Sequence, residues 1–288
     1  MKLNREQVRR IARNAFDELV KSVEAGKSEA LKQYLKAMAK FHRYSLGNAI
    51  LISCQKPEAS HVAGFRAWQR LGRHVRKGEH GIAIMAPVVY RRESALNDKA
   101  NEDEDDEVVT TFKTAYVFDI SQTDGKPLPE FARVQGDPDE FLSRLKQYVA
   151  ERGIKLEKSQ HLTMAEGVST GGTIFLKQSL APAEEFSVLC HETAHEILHH
   201  GTEIRPEEKK VRETEAEAVA FVVCHGIGLD VNSSSCDYIQ LYDGDKETLI
   251  RSLGRIQQTA AEILGAITDS TNSKHQDVEE SPRMSAAA

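Results

Sequence analysis

The sequence predicts an α+β protein built from two domains. Its 288 residues are about twice the length of a typical single domain, so each half can bury its own core. Segments with apolar residues at spacings of three and four predict helices, and short apolar runs between them read as strands. Charge is unevenly distributed: residues 1–92 hold 19 Lys and Arg against 7 Asp and Glu, although the whole chain has a net charge of −6.

The first half reads as helices followed by strands. Residues 82–86 and 111–120 read as strands on either side of an acidic run, residues 102–107, which we expect to be a disordered loop. This run would repel DNA, so a DNA-binding face would point away from it. Three helices are predicted before the strands, marked by Ala12, Phe16, Leu19, Val20 and Val23, by Leu31, Leu35 and Met38, and by residues 45–52.

The second half opens with a turn-rich linker at residues 125–129, and Asp137-Pro138 begins a helix that runs to about Arg152. Residues 174–176 read as a strand, where an extended peptide would add as a further strand. A last helix covers residues 247–267, and the polar tail is expected to be disordered.

Residues 191–200, HETAHEILHH, hold two histidines four apart with a glutamate after the first. On a helix, His191 and His195 lie one turn apart on one face, so both imidazoles can reach a single ion. Such a string also occurs in solvated surface helices, but its flanks here are apolar at helical spacing, and Pro182 suits a first helical turn. We therefore predict a zinc site. A catalytic zinc keeps three protein ligands and a water, so a third ligand is needed.

Candidates for the third ligand lie on a second helical stretch, residues 213–223. The metzincin class is excluded because Leu198 and Gly201 occupy the positions of its glycine and third histidine. The sequence instead predicts Glu213 as the ligand, giving a site of two histidines and one glutamate. Glu217, one turn further on, is expected to accept the free N–H of a ligand histidine, and it also stays open as the ligand itself.

Neighbouring polar residues have plainer interpretations. Glu215 is rotated by about 200° from Glu213 and is expected to be a solvated charge. His199 reads as a helix-end histidine near the negative end of the dipole. His225 reads as a surface histidine, with an oxyanion donor as the alternative, and Cys190 as a buried thiol.

Glu192 is the candidate catalytic residue. Zinc lowers the pKa of a bound water to about 7, and a nearby carboxylate can take the proton and pass it to a leaving amine. Peptide hydrolysis is the reaction that this pairing predicts, with no particular protein or peptide substrate indicated.

A basic segment, residues 64–81, interleaves two aromatic residues with five cations. Cations and flat rings together bind single strands, because bases stack on the rings, at about 1–3 kcal/mol each. Alternatively Phe65, Trp68 and Leu71, at helical spacing, are core, and the arginines form a solvated face; Trp68 alone fits core better. The candidate DNA-binding residues are Arg66, Trp68, Arg70, Arg73, Arg76 and Lys77.

Three blocks, residues 45–52, 64–81 and 116–123, resemble the N-terminal single-stranded-DNA-binding domain of the ArdC-type antirestriction proteins. In that family a zinc metallopeptidase-like domain follows, as it does here, and the resemblance covers roughly residues 5–230. It implies a protein from mobile DNA that binds incoming single strands and shields them from host restriction. The second half also resembles the ImmA/IrrE group, whose second motif is matched by Glu213, Ala216 and Glu217.

The motifs and resemblances described above predict three parts of the chain. These are an ArdC-like single-stranded-DNA-binding domain at residues 1–130, a zincin-like metallopeptidase domain at residues 131–269, and a disordered tail at residues 270–288. The four cysteines show no metal-type pairing, and nothing resembles a signal peptide or a membrane span, so we expect a cytoplasmic protein without a membrane partner. Two functions stay open. The chain is a DNA-binding zinc metallopeptidase, or a DNA-shielding protein whose zinc is mainly structural.

Overall fold

The computed structural model describes residues 3–91, 108–126, 138–162, 165–200, 208–229, 241 and 245–268. The mixture of helices and strands confirms the predicted α+β class. The helices are α1 (Arg5–Glu24), α2 (Ser28–Lys40), α3 (Leu46–Gln55), α4 (Phe65–Arg70), α5 (Pro138–Glu151), α6 (Pro182–His199), α7 (Lys209–Gly226) and α8 (Lys246–Thr268). The strands are β1 (Val62–Gly64), β2 (Arg73–Val75), β3 (Ile82–Arg91), β4 (Val108–Asp119), β5 (Thr123–Gly125), β6 (Lys155–Ser159), β7 (Gly167–Ser169) and β8 (Thr173–Lys177).

The chain packs into two compact units. One holds residues 1–26 and 44–130, and the other holds residues 27–43 and 131–288. Helix α2 therefore belongs with the second unit, although the sequence placed it in the first domain, because its apolar face packs on α7. The predicted acidic loop, most of the linker and the polar tail lie outside the described residues.

The first unit is built on an antiparallel sheet with the order β1-β4-β3. Strands β3 and β4 pair with Ile82 opposite Val117, and both predicted strands are present, the first being longer than expected. A second ribbon pairs β2 with β5. Helix α1 packs against this sheet and α3 through Val8, Leu51 and Ala83, all three fully buried.

Helix α3 covers the edge of the sheet at β3 with two side-chain amides. Asn48 hydrogen-bonds both the N–H and the C=O of Met85, and Gln55 does the same with Ala83, at 2.8–2.9 Å. The spacing of the four residues explains this pairing. Asn48 and Gln55 are seven apart and lie on one face of the helix, and Ala83 and Met85 are two apart and lie on the same side of the strand. The two amides therefore satisfy backbone groups that an edge strand would otherwise leave unpaired.

The second unit contains a small mixed sheet with the order β6-β8-β7, in which β8 is parallel to β6 and antiparallel to β7. The strand predicted at residues 174–176 is thus the central strand, with both sides occupied, so a peptide cannot add beside it. Strand β7 is the edge strand in contact with α6. Helix α6 begins at Pro182, as predicted, and Glu184 accepts a hydrogen bond from the N–H of Ala181.

Helices α5, α6, α7 and α8 pack on one another around a core that is largely apolar but also encloses buried polar side chains. Leu189 of α6, Val219 of α7 and Leu253 of α8 are fully buried. None of the described helices contains an apolar stretch long enough to cross a bilayer.

Candidate metal centre and basic surface

Helix α6 places the two motif histidines on one face, as the four-residue spacing predicts. Their Nε2 atoms lie 3.1 Å apart, and the rings meet edge to face with centroids 4.8 Å apart. Both rings are largely buried, with side-chain exposures of 21% for His191 and 14% for His195. Two ring nitrogens thus converge on one point from consecutive turns of a helix fixed by its buried opposite face.

Helix α7 brings Glu213 to the same point. Its Oε2 lies 3.5 Å from His191 Nε2 and 3.4 Å from His195 Nε2. Ligand atoms held about 2.0–2.1 Å from one tetrahedral zinc ion lie roughly 3.3–3.4 Å apart, so the spacing of these three atoms fits a single ion. Within the described residues, this trio is the group of histidine and acidic side chains whose ligand atoms cluster in this way.

The charges of the three groups depend on one another. Burial lowers the pKa of His191, but the carboxylates of Glu213 and Glu217 outweigh burial and raise that pKa to about 9. Burial and the charge of His191 lower the pKa of His195 to about 4. The hydrogen bond from His191 lowers the pKa of Glu213 to about 2. The ring of His191 and the carboxylate of Glu213 therefore each favour the charged form of the other.

Glu217 lies behind the ligand cluster. Its Oε2 is 3.4 Å from Nδ1 of His191, the ring nitrogen that points away from the convergence point. That distance is suited to a carboxylate that orients a ligand ring from the outer side. The geometry therefore favours Glu213 over Glu217 as the ligand.

Glu192 is buried between α6 and strand β7. A Cβ built on Gly167 would lie 2.8 Å from Cγ and 2.9 Å from Oε1 of Glu192, so only glycine permits this approach. Burial raises the pKa of Glu192, against a lowering by the backbone N–H of Ser169, which donates to it. The edge strand thus holds the carboxylate in place.

Glu196, to which the sequence assigned no role, anchors the turn between β7 and β8. Its Oε1 accepts from Ser169 Oγ at 2.7 Å and from the N–H of Gly171 at 2.9 Å, and its Oε2 accepts from the N–H of Gly172 at 2.8 Å. Gly171 and Gly172 have φ of 78° and 100°, which suits glycine. The side chain therefore fixes the strand that contacts Glu192.

The expectation that Glu215 is a solvated charge was wrong, whereas His199 is the last residue of α6, as predicted. Both side chains are almost fully buried, with exposures of 0% and 1%, and His199 Nε2 lies 2.9 Å from Glu215 Oε2. The other ring nitrogen of His199, Nδ1, lies 3.0 Å from Nδ1 of His195. Arg255 of α8 completes the set, 3.1 Å from Glu215 Oε2. The rotation of Glu215 away from Glu213 turns it into the α6–α8 interface rather than into solvent.

His225 and Cys190 are structural. His225 stacks on Phe221 with ring centroids 4.3 Å apart. Twelve residues beyond Glu213 on α7, it lies about 18 Å along the helix from the ligand cluster, so an oxyanion role is unsupported. Cys190 is buried and free, as predicted.

The basic segment separates into structural and free cations. Trp68 is only 2% exposed, and its Nε1 donates to the carbonyl of Phe118 at 2.9 Å. The prediction of Trp68 as a base-stacking residue is therefore not supported, because its ring fills the core. Phe65, at 48% exposed, is the accessible aromatic residue of α4.

Arg73 and Arg76 are engaged within the first unit. Arg73 donates from Nε to Thr123 Oγ1 at 2.8 Å and also to the carbonyl of Lys126, which joins β2 to β5. Arg76 pairs with Glu79 at 2.7 Å and with Asp124 of β5 at 3.4 Å. These two guanidinium groups hold the ribbon together.

The three remaining cations of the segment are exposed: Arg66, Arg70 and Lys77. Within the described part of the chain, none of them has an ion-pair partner. We use the name α4 surface for these three cations together with Phe65; Phe65, Arg66 and Arg70 lie on α4, and Lys77 follows β2. It has the free positive charge and the exposed ring that the sequence predicted for this segment, without Trp68.

Comparison with known proteins matches both halves. Residues 9–118 match the family described as the N-terminal domain of anti-restriction factor ArdC. Residues 143–224 match the IrrE N-terminal-like domain family. An uncharacterized protein of Bacillus anthracis is 25% identical over 91% of this chain, which spans about half (52%) of that relative.

Two similar solved structures are those of the antirestriction ArdC protein from R388 plasmid. The metal-free structure has 19% identity and a TM-score of 0.50, and the Mn(II)-bound structure has 20% identity and a TM-score of 0.52. Each alignment covers 90% of this chain and 98% of the ArdC chain, which supports a shared fold. The chain therefore carries an ArdC-type N-terminal domain followed by an IrrE-like domain, the order that its resemblance to the ArdC-type antirestriction family implies.

Proposed function

We propose that this chain is a single-stranded-DNA-binding antirestriction protein with a zinc-dependent hydrolytic centre that acts on a protein or peptide. The observation that carries the proposal is the convergence of His191, His195 and Glu213 within 3.5 Å of one another, beside a buried glutamate on the first turn of the motif. Two imidazoles and one carboxylate suit zinc. The similar ArdC structure is Mn(II)-bound, which supports divalent metal binding by a chain of this fold.

His191, His195 and Glu213 would hold the metal, and Glu217 would orient the ring of His191. The bound ion would supply an acidified water and a polarised substrate carbonyl. Glu192 would act as the general base, because it is a carboxylate next to the ligand cluster whose pKa is raised by burial toward the working range of a base. The β7 edge, where Val168 is 36% exposed, is the strand beside which an extended peptide would lie.

The α4 surface is proposed as a DNA-binding element. Helix α1 of the same unit adds a second positive surface, with exposed arginines at one-turn spacing: Arg5, Arg9 and Arg13. Within the described ranges none of these arginines has an ion-pair partner. Unpaired cations on one unit, with an exposed aromatic ring, are suited to a flexible phosphate backbone with unstacked bases.

The alternative function is DNA shielding with a mainly structural metal. It is favoured by the position of the cluster between α6 and α7, where an ion would join two core helices whether or not Glu192 acted. We place either activity in a reducing cytoplasm, which is consistent with the free thiols of Cys54, Cys190 and Cys224.

The test measures survival of unmodified plasmid DNA that enters a restricting host producing the full chain. Glu192→Gln keeps the shape of the side chain and removes the base. Arg66→Gln/Arg70→Gln removes two charges from the α4 surface. Each purified variant is assayed in parallel for metal content and for single-strand affinity, so that loss of protection can be assigned to one feature.

The proposal expects both variants to lose protection, while Glu192→Gln retains metal and DNA binding. If Glu192→Gln protects as well as the wild type with metal still bound, the hydrolytic part is overturned in favour of shielding. If the wild-type chain fails to bind single strands, the DNA-binding assignment fails.

A further inference from the structure

The polar side chains behind His195 form a continuous buried series. From the ligand cluster outward, His195 contacts His199 at 3.0 Å, His199 contacts Glu215 at 2.9 Å, and Glu215 contacts an arginine of α8 at 3.1 Å. The series spans three helices. It leaves His195 from Nδ1, the ring nitrogen not directed at Glu213.

The protons of this series can be assigned from the chemistry of the rings. A metal bound at Nε2 of neutral His195 leaves the ring proton on Nδ1, which then donates to Nδ1 of His199. With Nδ1 accepting, His199 must carry its own proton on Nε2, which donates to Glu215. The carboxylate accepts this bond and that of Arg255, so every contact has one donor and one acceptor.

Stability alone does not account for Glu215. The carboxylate is fully buried, and within the described residues its Oε1 has no hydrogen-bond partner. Burial of an anion with half of its acceptor capacity unused costs free energy, and an apolar side chain of similar size would commonly be neutral or stabilising. The retained charge therefore indicates a role toward the histidines.

We propose that His199 is a positioning residue for the metal centre: backed by Glu215 and Arg255, it fixes the tautomer and ring orientation of His195 so that Nε2 faces the ion. This inference rests on the proposed metal centre and extends it from one helix pair to α8. Loss of such an outer hydrogen bond typically weakens metal affinity by about 10–100-fold.

The test compares zinc affinity across variants of the full chain, measured by competition with a chromophoric chelator, together with apo-protein thermal stability. His199→Phe removes the acceptor but preserves a flat ring, and we expect affinity to fall about 10–100-fold. His199→Asn restores an acceptor near the Nδ1 position and should recover most of that loss. Glu215→Gln removes the anion and should weaken zinc binding in the same direction.

Thr193→Val is the matched control. Thr193 is fully buried on the same helix, but its hydroxyl donates at 2.6 Å to the carbonyl of Leu189 and takes no part in the series. We expect it to change apo-protein stability and leave zinc affinity within about twofold of wild type, since it removes only a neutral hydrogen bond.

The outcomes separate the two proposals. If the wild-type chain binds no divalent ion, the metal centre itself fails and the positioning role fails with it. If wild type binds zinc and His199→Phe binds equally well, only the positioning role is overturned. Equal losses in His199→Phe and His199→Asn would also overturn it, because the acceptor would then be irrelevant.

Discussion

Neutralising the α4 surface should change how DNA binding depends on salt, by an amount that can be worked out in advance. Each phosphate neutralised on a single strand contributes about −0.7 to the slope of log K against log salt concentration. The free cations Arg66, Arg70 and Lys77 therefore predict a slope of at least about −2 for wild type. The variant Arg66→Gln/Arg70→Gln should be shallower by about 1.4.

Expressed as affinity, this difference is easily measured. Between about 50 and 200 mM salt, a slope of −2.1 weakens binding roughly 18-fold, whereas a slope of −0.7 weakens it roughly 2.6-fold. If the α1 arginines also contact the strand, both slopes are steeper, but their difference is unchanged because the double variant leaves α1 intact.

The assay is fluorescence anisotropy of a labelled thymine oligonucleotide, titrated with the full chain at several salt concentrations. Lys155→Gln/Lys177→Gln is the matched control, since it changes the net charge equally through two exposed lysines of the second unit. Its slope should equal that of wild type. An unchanged slope in Arg66→Gln/Arg70→Gln, or an equal reduction in both double variants, would refute the assignment of DNA contacts to the α4 surface.

Three further predictions concern stability. Burial alone would raise the pKa of Asp119, but hydrogen bonds from Ser121 and from nearby backbone N–H groups lower it below its ordinary value. Ionised Asp119 therefore stabilises the folded protein at pH values above the unfolded pKa of about 4, and this stability is lost as the pH falls through the folded pKa. The variant Asp119→Asn should be less stable than wild type by the largest amount near neutral pH, and the two proteins should become equally stable in acid. Unfolding would be followed by the fluorescence of the single tryptophan in the sequence. In urea unfolding, Gly167→Ala should lower the free energy of unfolding of the second unit by about 1–3 kcal/mol, because the added Cβ would lie 2.7 Å from Val188 Cγ1. Gly254→Ala adds a Cβ with no atom within 4 Å and should stabilise α8 by about 0.5–1 kcal/mol. A stabilised Gly167→Ala and a destabilised Gly254→Ala would contradict both predictions. Zinc at about 100 times its Kd should raise the free energy of unfolding by about 2.7 kcal/mol in wild type, and a chelator should reverse the gain.

Local sequence rules predicted much of the candidate metal centre. The spacing of four between His191 and His195 fixes their common face on any helix, and the apolar flanks require that helix to pack with the histidines at its boundary. The same periodicity placed Glu213 and Glu217 on one face of a later helix, with Glu213 preferred as the third ligand and Glu217 left open. What the spacing could not supply was the distance between helices, which depends on the packing of residues far apart in the chain.

Amphipathic side chains were harder to place. Periodicity left open whether Trp68 was core or DNA-binding, because an aromatic residue next to arginines fits both. The pattern of charged residues in the basic segment also gave no indication of which arginines have partners in the fold. Arg73 and Arg76 contact β5 and its neighbours, whereas Arg66 and Arg70 have no ion-pair partner among the described residues. Thr123, the partner of Arg73, and Asp124, a partner of Arg76, lie about 50 residues further along the chain, beyond the reach of any local pattern, although Glu79, the other partner of Arg76, is only three residues away.

By itself, the sequence determined the α+β class, the motif helix and the candidate ligand types, because these follow from the short-range geometry of 3.6 residues per turn and from the donor chemistry of each side chain. Only the tertiary structure decided that Glu215 is buried rather than solvated, and that Arg255, forty residues later, neutralises it. A helix has many faces, and the partner of each is set by long-range packing, so the environment of a charge cannot be read from its own helix alone.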